Sequence, residues 1–338
     1  MRLKDIAVIT GFSPSTVSRV LKDDPRISGE TKKKVLSTVR KAGYRVNNIA
    51  RSLKTNTTET IGFMAPELAN EFFMKVAEGA EAELGRQNYS MLICSSRESE
   101  GEEKRQLALL LEKRVDGVII IPSSGRGGHF SLLNDFNVPV VLADRKTEDF
   151  PADIVLSDNE EGAYKAVNAL IERGHRRIGF IGGNIELNNA KERFSGYKKA
   201  LSKRGLPIEE EIIRFGDFHS KSGYRLMSEL LNLPLSPDHV FAANHFMHIG
   251  AAKYLASLSR EGRSPLIKLS SFDEMDVSSI FGFLTLTVAQ PMEEIGRRAA
   301  SLLLERIREK KETPGKRKKP REVRLPTELI YHNGPDKR

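Results

Sequence analysis

Apolar positions near the N-terminus recur at helical spacing. Leu3, Ile6 and Ala7 fall at i, i+3 and i+4, which predicts a short amphipathic helix, and Gly11 supplies a stop that tolerates a left-handed backbone. Ser13 followed by Pro14 is a helix start: a capping hydroxyl, then a residue whose fixed φ suits the first turn. Val17, Val20 and Leu21 form the inward stripe of this second helix, leaving Ser15, Thr16, Ser18, Arg19 and Lys22 to point elsewhere. A third helix is predicted from Ser28 as its cap, through an apolar stripe of Val35, Leu36, Val39 and Ala42, to a stop at Gly43. Two short helices joined by a tight turn, the second with a polar and basic face, are the pattern of a helix-turn-helix that enters the major groove.

From Ile61 the period changes. Short apolar runs alternate with helical stretches: IGFM, SMLIC, DGVIII and PVVLA form one group, and DIVLS, RIGFIGG, VFAAN, IKLSSFD and LTLTV another. Such alternation predicts βαβ units with parallel sheets covered on both faces. The expected fold class is α/β, an all-α head followed by two Rossmann-like lobes, with ligands collecting at the carboxyl ends of the strands between them.

Charge separates head from body. Residues 1–56 carry 13 Lys and Arg against 4 Asp and Glu, while the rest of the chain carries 41 of each. A second basic segment, Arg306 to Arg324, has 10 against 3, and the stretch between, 57–305, has a net charge of −7. A cationic head on a mildly acidic body points to a polyanion partner for the head. The length of 338 residues and 39% hydrophobic content suit two or three globular domains and exclude a disordered or fibrous chain. No apolar run is long enough to span a bilayer and no export signal opens the chain, so a cytoplasmic protein is expected. A lone cysteine, Cys94, allows no internal disulfide, and no Cys/His spacing resembles a zinc site, so no metal and no cofactor are expected.

The run DIAVITGFSPSTVSRVLKDDPRISGETKKKVLSTVRKAGYRVNNIARSL, Asp5 to Leu53, resembles the DNA-binding head of the lactose/galactose-repressor (LacI/GalR) family almost continuously, and the alternation behind it resembles that family's periplasmic-binding-protein-like core. The resemblance covers essentially the whole chain. It implies a DNA-binding domain over 1–46, a hinge helix and linker over 47–59, and a two-lobed effector-binding and dimerisation domain over 60–332. The first lobe would take about 60–160 plus 289–318, the second about 161–288 plus 319–332. Carried over residue by residue, it makes Pro14, Ser15 and Arg19 the base-reading positions, with Ser13, Thr16, Ser18 and Lys22 near phosphates. Arg19 can donate a bidentate pair to guanine. In the hinge, the segment that contains Asn47 is too short to hold a helix alone, and Leu53 takes the position of the leucine that members of the family wedge into the minor groove. Val46 departs from the family's usual proline there.

For the body, the resemblance implies effector contacts from Phe72, Phe73, Glu161, Arg193, Phe218, Asn244 and Asp273. Two departures stand out: His245 replaces an Asp after the Asn of its motif, and Glu161 stands where relatives have Asp. The implied partners are double-stranded operator DNA, a small-molecule effector of carbohydrate type and a second copy of the chain, with no membrane. The implied function is a non-enzymatic transcriptional repressor on a palindromic operator. Two other classes stay open, a solute-binding protein of similar fold and an enzyme whose basic head serves another polyanion. IGFIGG at 178–183 lacks the spacing of a dinucleotide fingerprint, no nucleophile and base pair stands out, and His245 with His248 offers only two metal ligands.

Overall fold

The computed structural model describes residues 2–21, 23–44, 57–263, 266–275, 283–313 and 318–332. It divides into two compact units, Met1–Thr58 and Glu59–Arg338.

The first unit contains three helices, α1 (Leu3–Thr10), α2 (Pro14–Leu21) and α3 (Gly29–Lys41). Ile6, Ala7, Val17, Val20 and Val35 form its buried centre, with Leu3, Phe12, Leu21, Val39 and Ala42 packed around it. Gly11, at φ +74°, ends α1 in the left-handed region where a side chain would be strained. Ser28 caps α3 by accepting the Thr31 amide at 3.4 Å. Leu36 does not join the core as the helical spacing suggests; it is 39% exposed, while Val35 beside it is fully buried.

The second unit holds two parallel-sheet lobes, six strands each among the described residues. In the first lobe β1 (Thr60–Ala65), β2 (Ser90–Ser95), β3 (Gly117–Ile120), β4 (Val140–Ala143) and β5 (Asp153–Ser157) alternate with α4 (Glu71–Arg86), α5 (Glu100–Glu112) and α6 (Ser131–Asp135). In the second, β6 (Ile178–Gly182), β7 (Ile213–Phe215), β8 (His239–Ala242), β9 (Lys268–Phe272) and β10 (Leu284–Ala289) alternate with α7 (Asn159–Glu172), α8 (Asn188–Lys203), α9 (Ser220–Leu231) and α10 (His245–Arg260). The chain then returns through α11 (Met292–Glu312) to β11 (Glu322–Leu325) and β12 (Glu328–Tyr331). Strand orders are β11-β5-β4-β3-β1-β2 and β12-β10-β9-β8-β6-β7, every pairing parallel except β10 with β12. Each central strand is buried on both faces: Ile61, Phe63 and Ala65 point to one core, Met64, Val118 and Ile120 to the other.

Two sequence-based groupings are corrected. The grouping of apolar runs put DIVLS with the second set, but it is β5, which pairs with β4 in the first sheet, in agreement with a first lobe reaching about 160. The 319–332 stretch does not go whole to the second lobe, because β11 pairs with β5 in the first sheet and only β12 reaches β10. Four cations of the second basic segment are paired within the chain. Arg306 forks onto buried Asp153 with two bonds of 2.7 Å, Arg321 reaches the same carboxylate and Glu305, Lys318 pairs with Glu309, and Arg324 with Glu192. No helix among the described residues is long and apolar enough to cross a membrane.

Candidate functional site

Two surfaces carry chemistry. In the head, the Ser13 hydroxyl accepts the Thr16 amide at 3.1 Å, the cap that starts α2, and it lies 2.8 Å from the Ser15 hydroxyl and 2.9 Å from that of Thr16. These three hydroxyls gather where the helix leaves amide groups without intrahelical partners, a place suited to a phosphate oxygen. Ser13, Pro14, Ser15 and Arg19 are exposed and Thr16 and Ser18 half-buried, while Val17 and Val20 anchor the opposite face. Of the acidic residues in the head, Asp23 is paired with Lys32 and Asp24 with Arg26, and the exposed Lys33, Lys34, Arg40 and Lys41 leave the unit cationic. Lys22, Val46, Asn47 and Leu53 lie outside the described residues.

In the second unit a cleft of about 530 Å³, its mouth included, opens between the lobes, and its walls are built from the carboxyl ends of the strands. Phe72 and Phe73 come from the first turn of α4, which Asn70 caps by accepting the Phe72 amide at 3.0 Å. Their rings meet edge to face at 5.5 Å. Arg193, 3% exposed, projects from α8 and donates to Asn159 at 2.8 Å and to the Ala243 carbonyl at 2.6 Å, with Asp273 at 3.9 Å and the Phe272 ring 3.8 Å beneath it. Burial pushes its guanidinium pKa down, against the opposing pull of Asp273 and Asp144. Asn244 caps α10 through the Met247 amide and donates to the Phe218 carbonyl at 3.0 Å, so one side chain fixes both a helix start and an aromatic wall.

The structure therefore brings Phe72, Phe73, Arg193, Phe218, Asn244 and Asp273 together around one space. Glu161 is not among them. It sits in the first turn of α7, 3.9 Å from Lys165 and partly in solvent, whereas Asn159 points inward onto Arg193. Two helical positions differ by about 200°, so the inward member of DNEEG and Glu161 cannot share a face.

Further cleft residues carry no motif. Asp144 and Arg145 follow β4, Asn189 opens α8, and Gln290 follows β10. Asp144 accepts the Asn189 amide at 3.4 Å through one oxygen, and its other oxygen, Oδ1, is buried with no partner. Burial raises the pKa of this carboxyl, with Arg145 and Arg193 opposing. Arg145 is shared between Glu98 at 3.3 Å, Asp144 at 3.8 Å and the Pro122 carbonyl at 3.2 Å. Gln290 donates to Asp273 and keeps a buried, unpaired Oε1. His245 lines the same wall, buried, with burial pushing its imidazole down. Asp144, Phe218 and Asp273 all adopt positive φ, at +60°, +67° and +72°, so three walls of the cleft hold backbone strain. The signal that exposes Asp144 and Arg145 is positional: PVVLADR ends a strand on two charges, and strand ends are where α/β sheets bind ligands. Among the described residues no group of three or more His, Cys, Asp or Glu side chains can hold a metal.

Comparison with known proteins agrees with this layout. Residues 2–47 match the family model of bacterial regulatory proteins, lacI family, and residues 58–333 match periplasmic binding proteins and sugar binding domain of LacI family. The chain is 35% identical over 309 residues to the HTH-type transcriptional regulator RegA of Clostridium saccharobutylicum, covering 91% of this chain and 93% of that protein. It is 34% identical over 316 residues to the HTH-type transcriptional repressor PurR of Yersinia pestis, covering 92% of each. Among solved structures, a transcriptional regulator CelR-cellobiose complex superposes with a TM-score of 0.71 at 28% identity, covering 98% of both chains.

Proposed function

The chain belongs to the LacI family of bacterial regulatory proteins and is a DNA-binding transcriptional repressor, not an enzyme; from that premise we propose that it binds a palindromic operator as a homodimer and releases or grips it in response to a sugar-type effector in the cleft of the second unit. The observation that carries the effector reading is the gathering of Phe73, Phe218, Arg193, Asn244 and Asp273 around one space whose buried polar atoms are incompletely paired. Aromatic faces suit the apolar side of a sugar ring, and the polar groups suit its hydroxyls. The relative in complex with cellobiose supports a sugar.

DNA contact falls to Ser13, Pro14, Ser15, Thr16, Ser18, Arg19 and Lys22, with Asn47 and Leu53 in the hinge. One head makes few contacts, and a two-fold dimer matches two half-sites about one helical turn apart. The edge strand β2 offers a surface for pairing, since Leu92 and Ile93 are exposed on it. A partner of operator DNA calls for a cytoplasmic protein. The effector half is tested by calorimetric titration of the full chain with mono- and disaccharides. A saturable heat lost in the Asn244→Ala variant supports it, and no heat from any sugar contradicts it. Sedimentation equilibrium tests the dimer, which a monomer at micromolar concentration would refute.

A further inference from the structure

The cations that the ion pairs of the first lobe leave over gather at one end of it, the end where the chain arrives from the head. The Glu59 amide donates to the Asp116 carboxylate at 2.9 Å, just before β1 and β3 begin, and this fixes the point of entry. The last turns of α11 lie at the same end: Lys310 is within electrostatic reach of Asp116, and Arg308 of Tyr89, the residue before β2. Arg306, Lys318, Arg321 and Arg324 are spent on carboxylates. Arg308, Lys310, Lys311 and Lys319 form no ion pair among the described residues, and neither does Lys113, which ends α5 shortly before Asp116. All five are exposed, against two exposed carboxylates on the same turns, Glu112 and Glu312, and the sequence adds Lys316 and Arg317. Partial burial pulls the pKa of the Lys310 ammonium down, with Asp116 opposing, so an arriving anion would relieve a poorly solvated charge. Cations at a helix C-terminus also answer its dipole, but that effect fades within the last turn, and Lys319 stands outside any helix.

The stretch 57–305 carries a net charge of −7, so an uncompensated cationic end on this body is a surface for a polyanion. The polyanion at hand is the duplex that the head binds. It is tethered to this end of the lobe by residues 45–58, at most about 50 Å of chain, which keeps its phosphates at high local concentration. We propose that this end of the first lobe is a second DNA contact, in which Arg308, Lys310, Lys311 and Lys319 neutralise phosphates of the duplex flanking the operator. The contact reads no base edges; it adds affinity and salt dependence, and leaves sequence preference to the head. It rests on the DNA-binding role of the head and extends the DNA interface to the body.

The test measures affinity against salt concentration for the full chain on two duplexes that carry a site it selects from random sequence. One just covers the site, and the other extends it by about two helical turns on each side. A variant with Arg308, Lys310, Lys311 and Lys319 all changed to Gln should lose about 0.9 from the salt slope for each phosphate contact removed, at least about 2 in all, on the extended duplex. On the site-length duplex its slope should match that of the parent chain. Lys310→Gln alone should lose about 0.9, and urea melts of both variants report folding separately. Equal slopes for parent and variant on the extended duplex overturn the proposal and leave the cations as helix-end and solvent charges. A slope lowered equally on both lengths overturns the flanking assignment. Failure of the parent chain to bind any duplex overturns the DNA-binding reading itself, and this inference with it.

Discussion

Gly183 allows the aromatic wall of the cleft to be moved without touching a charged group. It follows β6 directly, and a Cβ built on it would lie 2.1 Å from two carbons of the Phe218 ring. Carbon atoms in contact settle at about 3.5–4.0 Å, so in Gly183→Ala the ring has to retreat by about 1.5 Å. Phe218 is held at φ +67° with its carbonyl accepting from Asn244, which leaves the backbone little room to follow. The open side is the cleft that the ring lines, and the displaced ring moves into the ligand's place. Overpacking of this kind costs about 1–3 kcal/mol of stability. The loss of a stacked aromatic face is worth about 0.5–1.5 kcal/mol, up to roughly tenfold in effector affinity, and more if the ring blocks entry. The assay pairs a urea melt with calorimetric titration of the effector. Gly85→Ala serves as the control, because no atom lies within 4 Å of its added Cβ and a helical alanine should gain up to about 1 kcal/mol. If Gly183→Ala binds effector with native affinity, Phe218 is not a wall of the site and the description of the cleft fails.

Other outcomes follow from the same geometry. Arg19→Ala should relax base preference at one position of each half-site, at a cost of about 1–3 kcal/mol for the preferred base, and an unchanged selected-site profile contradicts that role. Asp153→Asn removes the buried carboxylate that Arg306 and Arg321 share while each keeps a second acidic partner, and the urea midpoint of the second unit should fall by the equivalent of about 1.5–3 kcal/mol. Stability should also drop as the solution is acidified below the ordinary histidine range. Burial pushes the pKa of His239 well down and that of His248 to about 3, so the folded chain keeps both neutral while the unfolded chain takes up protons near 6.5. Full stability is present above that value and is lost as pH falls towards the folded pKa values, by about 1.4 kcal/mol per pH unit for each group. Urea midpoints measured across this range check it, and a flat profile between about pH 7 and 5 contradicts it.

The head was readable because its signals are local. Ser13 and Ser28 cap their helices where the sequence places them, Gly11 turns left-handed, and the 3.6-residue stripe selects Ile6, Ala7, Val17, Val20 and Val35. In the body, element type was legible and lobe membership only in part. DIVLS joins the first sheet through β4, 12 positions back, whereas the strand after Arg321 joins it through hydrogen bonds between residues more than 160 positions apart, such as Arg321 on Asp153, which no local pattern encodes. The site divides in the same way. Most residues that the family resemblance implies do line the cleft, but Asp144, Arg145 and Gln290 come from strand ends without a motif, and Glu161 lies in a run of polar residues whose inward member is Asn159.

The proposed repressor couples a cationic helix-turn-helix reader to an effector cleft in the same chain. The most direct measurement is fluorescence anisotropy of a duplex selected from a random library, titrated with the full chain at moderate salt with and without a ligand that raises its Tm. A preference for the selected duplex over random competitor of about a thousandfold or more is expected, with a shift of that affinity when ligand is added. Equal affinity for both duplexes, unmoved by ligand, would contradict it.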